Sequence, residues 1–371
     1  MIEEGWAEVG ARIAEVRKMR GYSQDDLASK MGLDRTAISK IEVGRRHISA
    51  LELVRLAELL ERPLQSFVTP PPQAVVSRRA AIAGQRSDRH GDYALEDIAR
   101  DIALLVDIQA LGAHEAKGSL RAIKPGGAGT EAEEAAARAR GLMGVDRHAP
   151  LLDLADHAER VGLFAFSMAL GEAAADGAYV EVDGVGVALV NGDLDAGRRR
   201  STLAHELGHH LFGDAYSADW GSDTSEIERA IDSFAIHLLL PRGGATRRWR
   251  ELRKEHGLRA AAIIISAEYR VSWTAALRQL RHYELISKED YRTLDARSPT
   301  RADYLECGVR VTAEIEPTYV PAGVSAAAIK AYRTYLLSAE RVTELLRGQV
   351  SIDDLGLPDK IPLDALRGEL S

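Results

Sequence analysis

The sequence predicts a multidomain chain of three parts: an all-α N-terminal domain, an α+β domain, and a helical C-terminal extension. Three observations carry this. Between residues 10 and 67 apolar residues recur at helical spacing in five short runs. Strand-like runs at 163–170, 178–182 and 185–190 follow helical stretches and precede one more, an α+β order. Helical periodicity then continues toward the C-terminus. A length of 371 residues leaves room for two or three domains of ordinary size.

Composition narrows the class. Hydrophobic residues are 46% and charged residues 28%, the profile of a soluble globular protein, and aromatics at 5% leave the cores to Leu, Ile, Val and Ala. Cys307 stands alone, which excludes an internal disulfide and a cysteine-based zinc ribbon; it fits a reducing compartment and reads as a small packing residue. The start Met1-Ile2-Glu3-Glu4-Gly5 has no basic region followed by an apolar one, and no apolar run approaches the roughly 20 residues of a membrane span. A cytoplasmic protein without a membrane partner is expected.

In the N-terminal domain, assigned to 1–70, Ser23 and Asp34 are good N-caps, and Leu27, Ala28, Ala37, Ile38 and Ile41 form a shared apolar seam. Gly44 ends the second helix of this pair. Ser49 and Glu52 make a capping box that opens a helix closed off by Pro63. Two helices joined by a tight turn, the second bearing Arg35, Thr36, Ser39 and Lys40, have a helix-turn-helix layout. Residues 1–70 hold 11 Lys+Arg and 11 Asp+Glu. Affinity for DNA must then come from one basic face and fall steeply with salt.

The segment 71–130 reads as a linker with an amphipathic helix. Thr69-Pro70-Pro71-Pro72-Gln73 is a stiff exit, 80–92 is polar, and 118–130 is a second joint. Leu95, Ile98, Ile102 and Leu105 form a stripe that must pack, either on a second copy or within the chain. The α+β domain is assigned to 131–245 and the helical extension to 246–371. Helices are expected at 131–142, 151–160, 259–269, 272–283 and, in two pieces, 324–346, with a loose tail from Ser351. Asp183-Gly184 joins the last two strands, and the edge of such a sheet would let an extended peptide add as a strand.

Arg198-Arg199-Arg200 read as a solvated loop before the metal helix. That helix contains His205-Glu206-x-x-His209. Residues four apart lie on one helix face, so both imidazoles can reach one metal ion, while Glu206, about 100° away, can serve its water. Zinc so held lowers the pKa of its water to about 7. Downstream, a helix stopped by Pro241 offers Glu226, Glu228 and His237. Glu228 and Asp232 share a face opposite Glu226 and His237. The Glu228 face is chosen as third ligand, because Asp232 could accept the outer N–H of a ligating histidine. Glu226 is then a solvated first-turn acid, and His237 a surface or packing histidine. His210 reads as structural or substrate-facing.

Two resemblances follow from these residues. The run "YSQDDLASKMGLDRTAISKIEVGRRHISALELVRLAELL" resembles the Xre/lambda-repressor-like family. The resemblance implies that Arg35, Thr36 and Ser39 face base edges, with Gln24, Lys40, Arg45 and Arg46 on the phosphate backbone. The run "RRRSTLAHELGHHLFGD" followed by "EIERAIDSFAIHLLLP" resembles the ImmA/IrrE-type metallopeptidases. This implies a zincin-like fold, His205, His209 and Glu228 as ligands of Zn²⁺ or Mn²⁺, and Glu206 as general base. Ile231 and Asp232 stand where that family usually has Ala and Asn; Asp can still orient a histidine.

The expected protein is a DNA-binding transcriptional regulator with a metal-dependent endopeptidase domain. The resemblance implies that it cuts a repressor or antitoxin-like protein, and helix-turn-helix proteins usually read two half-sites as homodimers. Two alternatives are a transcription factor whose metal domain senses a ligand or partner without cleaving, and an antitoxin-like module holding a toxin.

Overall fold

Polar caps divide the N-terminal helices where the sequence places them. The computed structural model describes residues 2–60, 62, 64–68, 75–78, 90–112, 130–172, 174–213 and 224–358. Two compact units divide the chain, Met1–Gln73 and Ala74–Ser371. The first comprises α1 (Ile2–Met19), α2 (Gln24–Met31), α3 (Arg35–Glu42), α4 (Ala50–Leu59) and α5 (Gln65–Val68). Ser23 with Asp26 and Ser49 with Glu52 form reciprocal capping boxes on α2 and α4, and Asp34 accepts from the Ala37 N–H to start α3. Gly32, at φ 69°, ends α2 in the left-handed conformation and turns the chain into α3. Ile13, Leu27, Ile38, Leu56, Leu60 and Phe67 close the core. Within that core Arg17 grips Glu42 through Nε–Oε1 at 2.5 Å and Nη2–Oε2 at 3.1 Å.

The second unit begins with β1 (Val75–Arg78), α6 (His90–Asp107), α7 (Thr130–Leu142) and α8 (Leu154–Glu159). Then come β2 (Leu163–Met168), β3 (Gly177–Val182), β4 (Val185–Asn191), α9 (Ala196–Phe212) and α10 (Thr224–Leu239). The rest is helical: α11 (Arg242–Glu255), α12 (Leu258–Glu268), α13 (Trp273–His282), α14 (Lys288–Asp295), α15 (Arg301–Glu306), α16 (Ala322–Arg333), α17 (Ala339–Leu345) and α18 (Ile352–Leu355). The tail from Ser351, expected to be loose, thus contributes one further helical turn.

The sheet has the order β1-β3-β4-β2, with β1 and β4 antiparallel to β3 and β2 parallel to β4. Positive φ at Asp183 and Gly184, 50° and 78°, matches the twist of a two-residue β3–β4 hairpin. Both faces of the sheet are covered, so its strands lack a polar side. Tyr179, Ala188 and Val190 point into a core with α7 to α14. Ala178, Val180, Val187 and Leu189 point into a second core with α6, α16 and α17. The stripe Leu95, Ile98, Ile102 and Leu105 is buried in that second core, so α6 packs within its own chain.

Two differences from the sequence reading stand out. β1 lies in a stretch with no strand signal of its own; four residues are too few to show a period, and β3 supplies the pairing. Arg198, Arg199 and Arg200 do not form a solvated loop but the first turns of α9. Arg199 and Arg200 are buried because their guanidiniums find acceptors: the carbonyls of Gly192 and Leu194 for Arg199, and Glu314 and the Leu151 carbonyl for Arg200. The segments 80–92 and 118–130, read as linker and joint, fall largely outside the described residues.

Candidate metal centre

The metal helix is fixed at both ends. Asp195 caps α9 by accepting from the Arg198 N–H, Arg198 pairs with Asp176 at 2.7 and 2.8 Å, and Gly213 closes the helix at φ 65°. Every residue from Thr202 to Phe212 is buried. Helix α10 crosses α9 at Gly208, where a Cβ would stand 2.7 Å from Ile231 Cγ2. That close approach brings the acid-bearing face of α10 to the histidines.

His205 Nε2 lies 3.1 Å from His209 Nε2 and 3.2 Å from Glu228 Oε2, and His209 Nε2 lies 3.7 Å from Glu228 Oε1. These three residues could hold a metal ion. Tetrahedral bonds of about 2.0–2.1 Å, as for zinc with nitrogen or carboxylate oxygen, separate ligand atoms by about 3.3 Å. The observed separations bracket that value, so the donor set fits. Two imidazole nitrogens facing each other at hydrogen-bond distance are also what a shared cation explains. The other ring nitrogen, His205 Nδ1, donates to Asp232 Oδ1 at 2.9 Å, which fixes the orientation of the ring. Burial pushes the Glu228 carboxyl up, but its hydrogen bond with His205 and the charges of His209 and His205 hold it below the ordinary glutamate value.

Glu206 is fully buried on the next face of α9. It meets the start of β3: a Cβ at Gly177 would stand 2.9 Å from Glu206 Oε1 and 2.4 Å from Thr202 Cγ2. Nothing in the sequence marks Gly177 beyond its place at the head of a strand. It is the residue that sequence reasoning misses at this site.

The other candidates go elsewhere. Glu226 is exposed beside Arg229. His237 is buried, donates Nδ1–H to the Ser233 carbonyl at 2.7 Å, and is held by burial below the ordinary histidine value, which keeps it neutral. His210 donates from Nε2 to the Val161 carbonyl at 2.9 Å and receives the Tyr179 hydroxyl on Nδ1 at 3.0 Å, a structural role that ties α9 to the sheet.

In the first unit, Arg35, Thr36, Lys40 and Arg45 are exposed and Ser39 is half-buried, all on α3 or the turn after it. The Thr36 hydroxyl donates to Asp34 at 2.5 Å, and Arg35 stands 3.8 Å from Asp25. Gln24 and Arg46 are less free. The Gln24 amide donates to the buried Glu42 at 2.7 Å, and Arg46 is bound to Glu52 at 2.7 Å.

Residues 13–67 match the family described as Helix-turn-helix, and residues 158–281 match the peptidase family described as IrrE N-terminal-like domain. Neither curated proteins nor solved structures give a significant match. The chain joins a helix-turn-helix domain to an IrrE N-terminal-like domain. Among the described residues no helix is long and apolar enough to cross a membrane.

Proposed function

We propose that this chain is a DNA-binding transcriptional regulator whose second unit is a metal-dependent endopeptidase acting on a repressor or antitoxin-like protein. The observation that carries the reading is the convergence of His205, His209 and Glu228 from two helices beside the buried Glu206. His205, His209 and Glu228 hold Zn²⁺ or Mn²⁺, with His205 oriented by Asp232. When bound, the ion supplies Lewis acidity to the attacking water and the scissile carbonyl. Glu206 moves the proton, taking it from the water and passing it to the leaving amine. Its burial against Gly177 excludes bulk water and aims the carboxylate.

On the first unit, Arg35, Thr36 and Ser39 face base edges, and Lys40 and Arg45 contact phosphates. Arg46 and Gln24 act at one remove, through Glu52 and Glu42. The chain binds a two-fold symmetric operator as a homodimer, and a peptidase tethered there meets DNA-bound regulators at high local concentration. The domain limits 1–70, 131–245 and 246–371, and a cytoplasmic location, belong to the same reading.

Glu206→Gln tests it. The variant should keep one metal per chain and its DNA binding, and lose about 10²–10⁴ in cleavage of the cognate regulator, the usual contribution of a general base. His209→Ala and Glu228→Ala should lose the metal. If Glu206→Gln cells respond normally to the inducing signal while Glu228→Ala cells do not, the metal domain is a sensor and cleavage is not the mechanism.

A further inference from the structure

The strand that lies along Glu206 already has an occupant. Without β1, the outer side of β3 would be the edge of the sheet, since the order is β1-β3-β4-β2. Unpaired edge groups are what an extended peptide adds to. β3 is also the strand whose first residue, Gly177, touches Glu206. A peptide laid antiparallel on this edge would run its C-terminal end past Ala178 and Gly177, beside the residue that moves the proton. β1 lies in that way: it is antiparallel, with Val75 opposite Glu181, Val76 opposite Val180, Ser77 opposite Tyr179 and Arg78 opposite Ala178. Its C-terminal end is the end near Glu206.

We propose that β1 holds the place of a peptide substrate, so that the chain's own residues 75–78 occupy the edge of β3 and a protein substrate gains access by displacing them. This rests on the peptidase reading given above and adds its regulation. The segment follows directly on the first unit, Met1–Gln73. A strand held there competes as a tethered ligand, at an effective concentration on the order of mM. An incoming peptide binds with an affinity reduced by the fraction of time that β1 is away.

The test uses the full chain, as purified and again after chelation, so that its outcome does not depend on whether the site cuts. Adjacent residues of a strand alternate in facing their partner, so Val76→Pro with Ser77→Pro removes at least one ladder donor whichever of the two residues supplies it. Of the amides of Ala178, Tyr179, Val180 and Glu181, the alternate pair that faces β1 should exchange faster with solvent in this variant, with the pair that faces β4, and the amides of β4 and α9, unchanged. A fluorescent peptide with the sequence of residues 72–81 should bind the variant about tenfold or more tighter than it binds the wild type. Unchanged exchange on β3, equal binding to both proteins, or binding to neither overturns the proposal.

The opposite variant guards against a fold lost to the prolines. Arg78→Cys with Ala178→Cys places two thiols at paired positions. Oxidised, it should refuse the peptide even at concentrations on the order of mM, and reduction should restore binding. Peptide binding that survives the lock overturns the proposal. Cleavage and metal content are read separately: an inactive protein that still passes these tests leaves the β1 assignment standing and removes the peptidase.

Discussion

The two units differ in where their candidate chemistry lies, at the surface in the first and in the interior in the second. In the helix-turn-helix unit the candidate contacts Arg35, Thr36, Lys40 and Arg45 are exposed, and the buried charges Arg17 and Glu42 serve the fold. In the second unit the candidate groups are themselves buried: His205 and His209 are 1% and 2% exposed and Glu206 is fully enclosed. The contrast follows from the partners. A phosphate or a base edge comes to the surface and is met there. A metal and a proton-moving carboxylate need a dry, fixed frame, so their positions depend on helix packing. Substitutions should therefore separate function from stability in the first unit and entangle them in the second.

The largest effect expected from this contrast is at a residue remote from the ligands. Glu314 is 9% exposed and binds Arg200 on the metal helix, Arg270, and the backbone N–H groups of Asp153 and Leu154. Removing one partner of a buried pair costs about 3–5 kcal/mol. Glu314→Ala should lower the stability of the second unit by that much in denaturant unfolding and release metal with it, while operator binding is kept. pH should act through the same group. Burial raises the Glu314 carboxyl, but Arg200, Arg270 and the Leu154 amide more than offset this and hold it below the ordinary glutamate value. A depressed folded value means that the stabilisation is complete above the ordinary range, about 4.3, and is lost as pH falls through the folded value. Glu314→Ala should flatten that part of the acid limb. An acid limb identical to wild type would mean that this junction does not carry the second unit.

Legibility divides along the same line. Ser23, Asp34 and Ser49 announced their helices because caps are local chemistry, and α9 and α10 carried ligand spacing that 3.6-residue periodicity places on one face. Angle put Glu228 on the opposite face from Glu226 and His237, and Asp232, one turn on, decided between the two faces. What could not be read depends on contacts remote in sequence. Arg199 and Arg200 look like solvated cations until Glu314, over a hundred residues on, closes over them. Gly177 matters because of what packs behind it, and β1 exists because β3 has an edge to fill.

On the first unit a smaller effect of another kind is expected. Arg35 is 65% exposed and only loosely paired with Asp25 at 3.8 Å, so it is free to turn toward a base. Arg35→Ala or Ser39→Ala should cost about 1–3 kcal/mol at the operator and relax base choice at one position. Thermal unfolding should not move, because neither side chain belongs to the core. A drop in stability of comparable size would break the contrast between the two units, since it would make a contact residue structural.

The finest distinction lies between two neighbouring arginines. The main-chain N–H groups of Arg45 and Arg46 both bond to the Lys40 carbonyl, so the turn after α3 presents the pair together. Arg45 is exposed, and no ion pair holds it among the described residues. Arg46 is one-third exposed and donates Nη2 to Glu52 at 2.7 Å, where Glu52 also caps α4 through the Ser49 N–H. To meet a phosphate, Arg45 would have no ion pair among the described residues to give up, whereas Arg46 would first have to give up Glu52. Arg45→Ala should therefore weaken all DNA sites alike and reduce the salt slope by about 1, with stability unchanged. Arg46→Ala should leave the slope nearer wild type and lower stability by no more than about 1 kcal/mol, the range for a partly exposed pair. Binding isotherms from about 0.05 to 0.2 M salt on both variants decide it. Equal slopes for the two would place Arg46 on the phosphates as well, with Glu52 released when DNA binds.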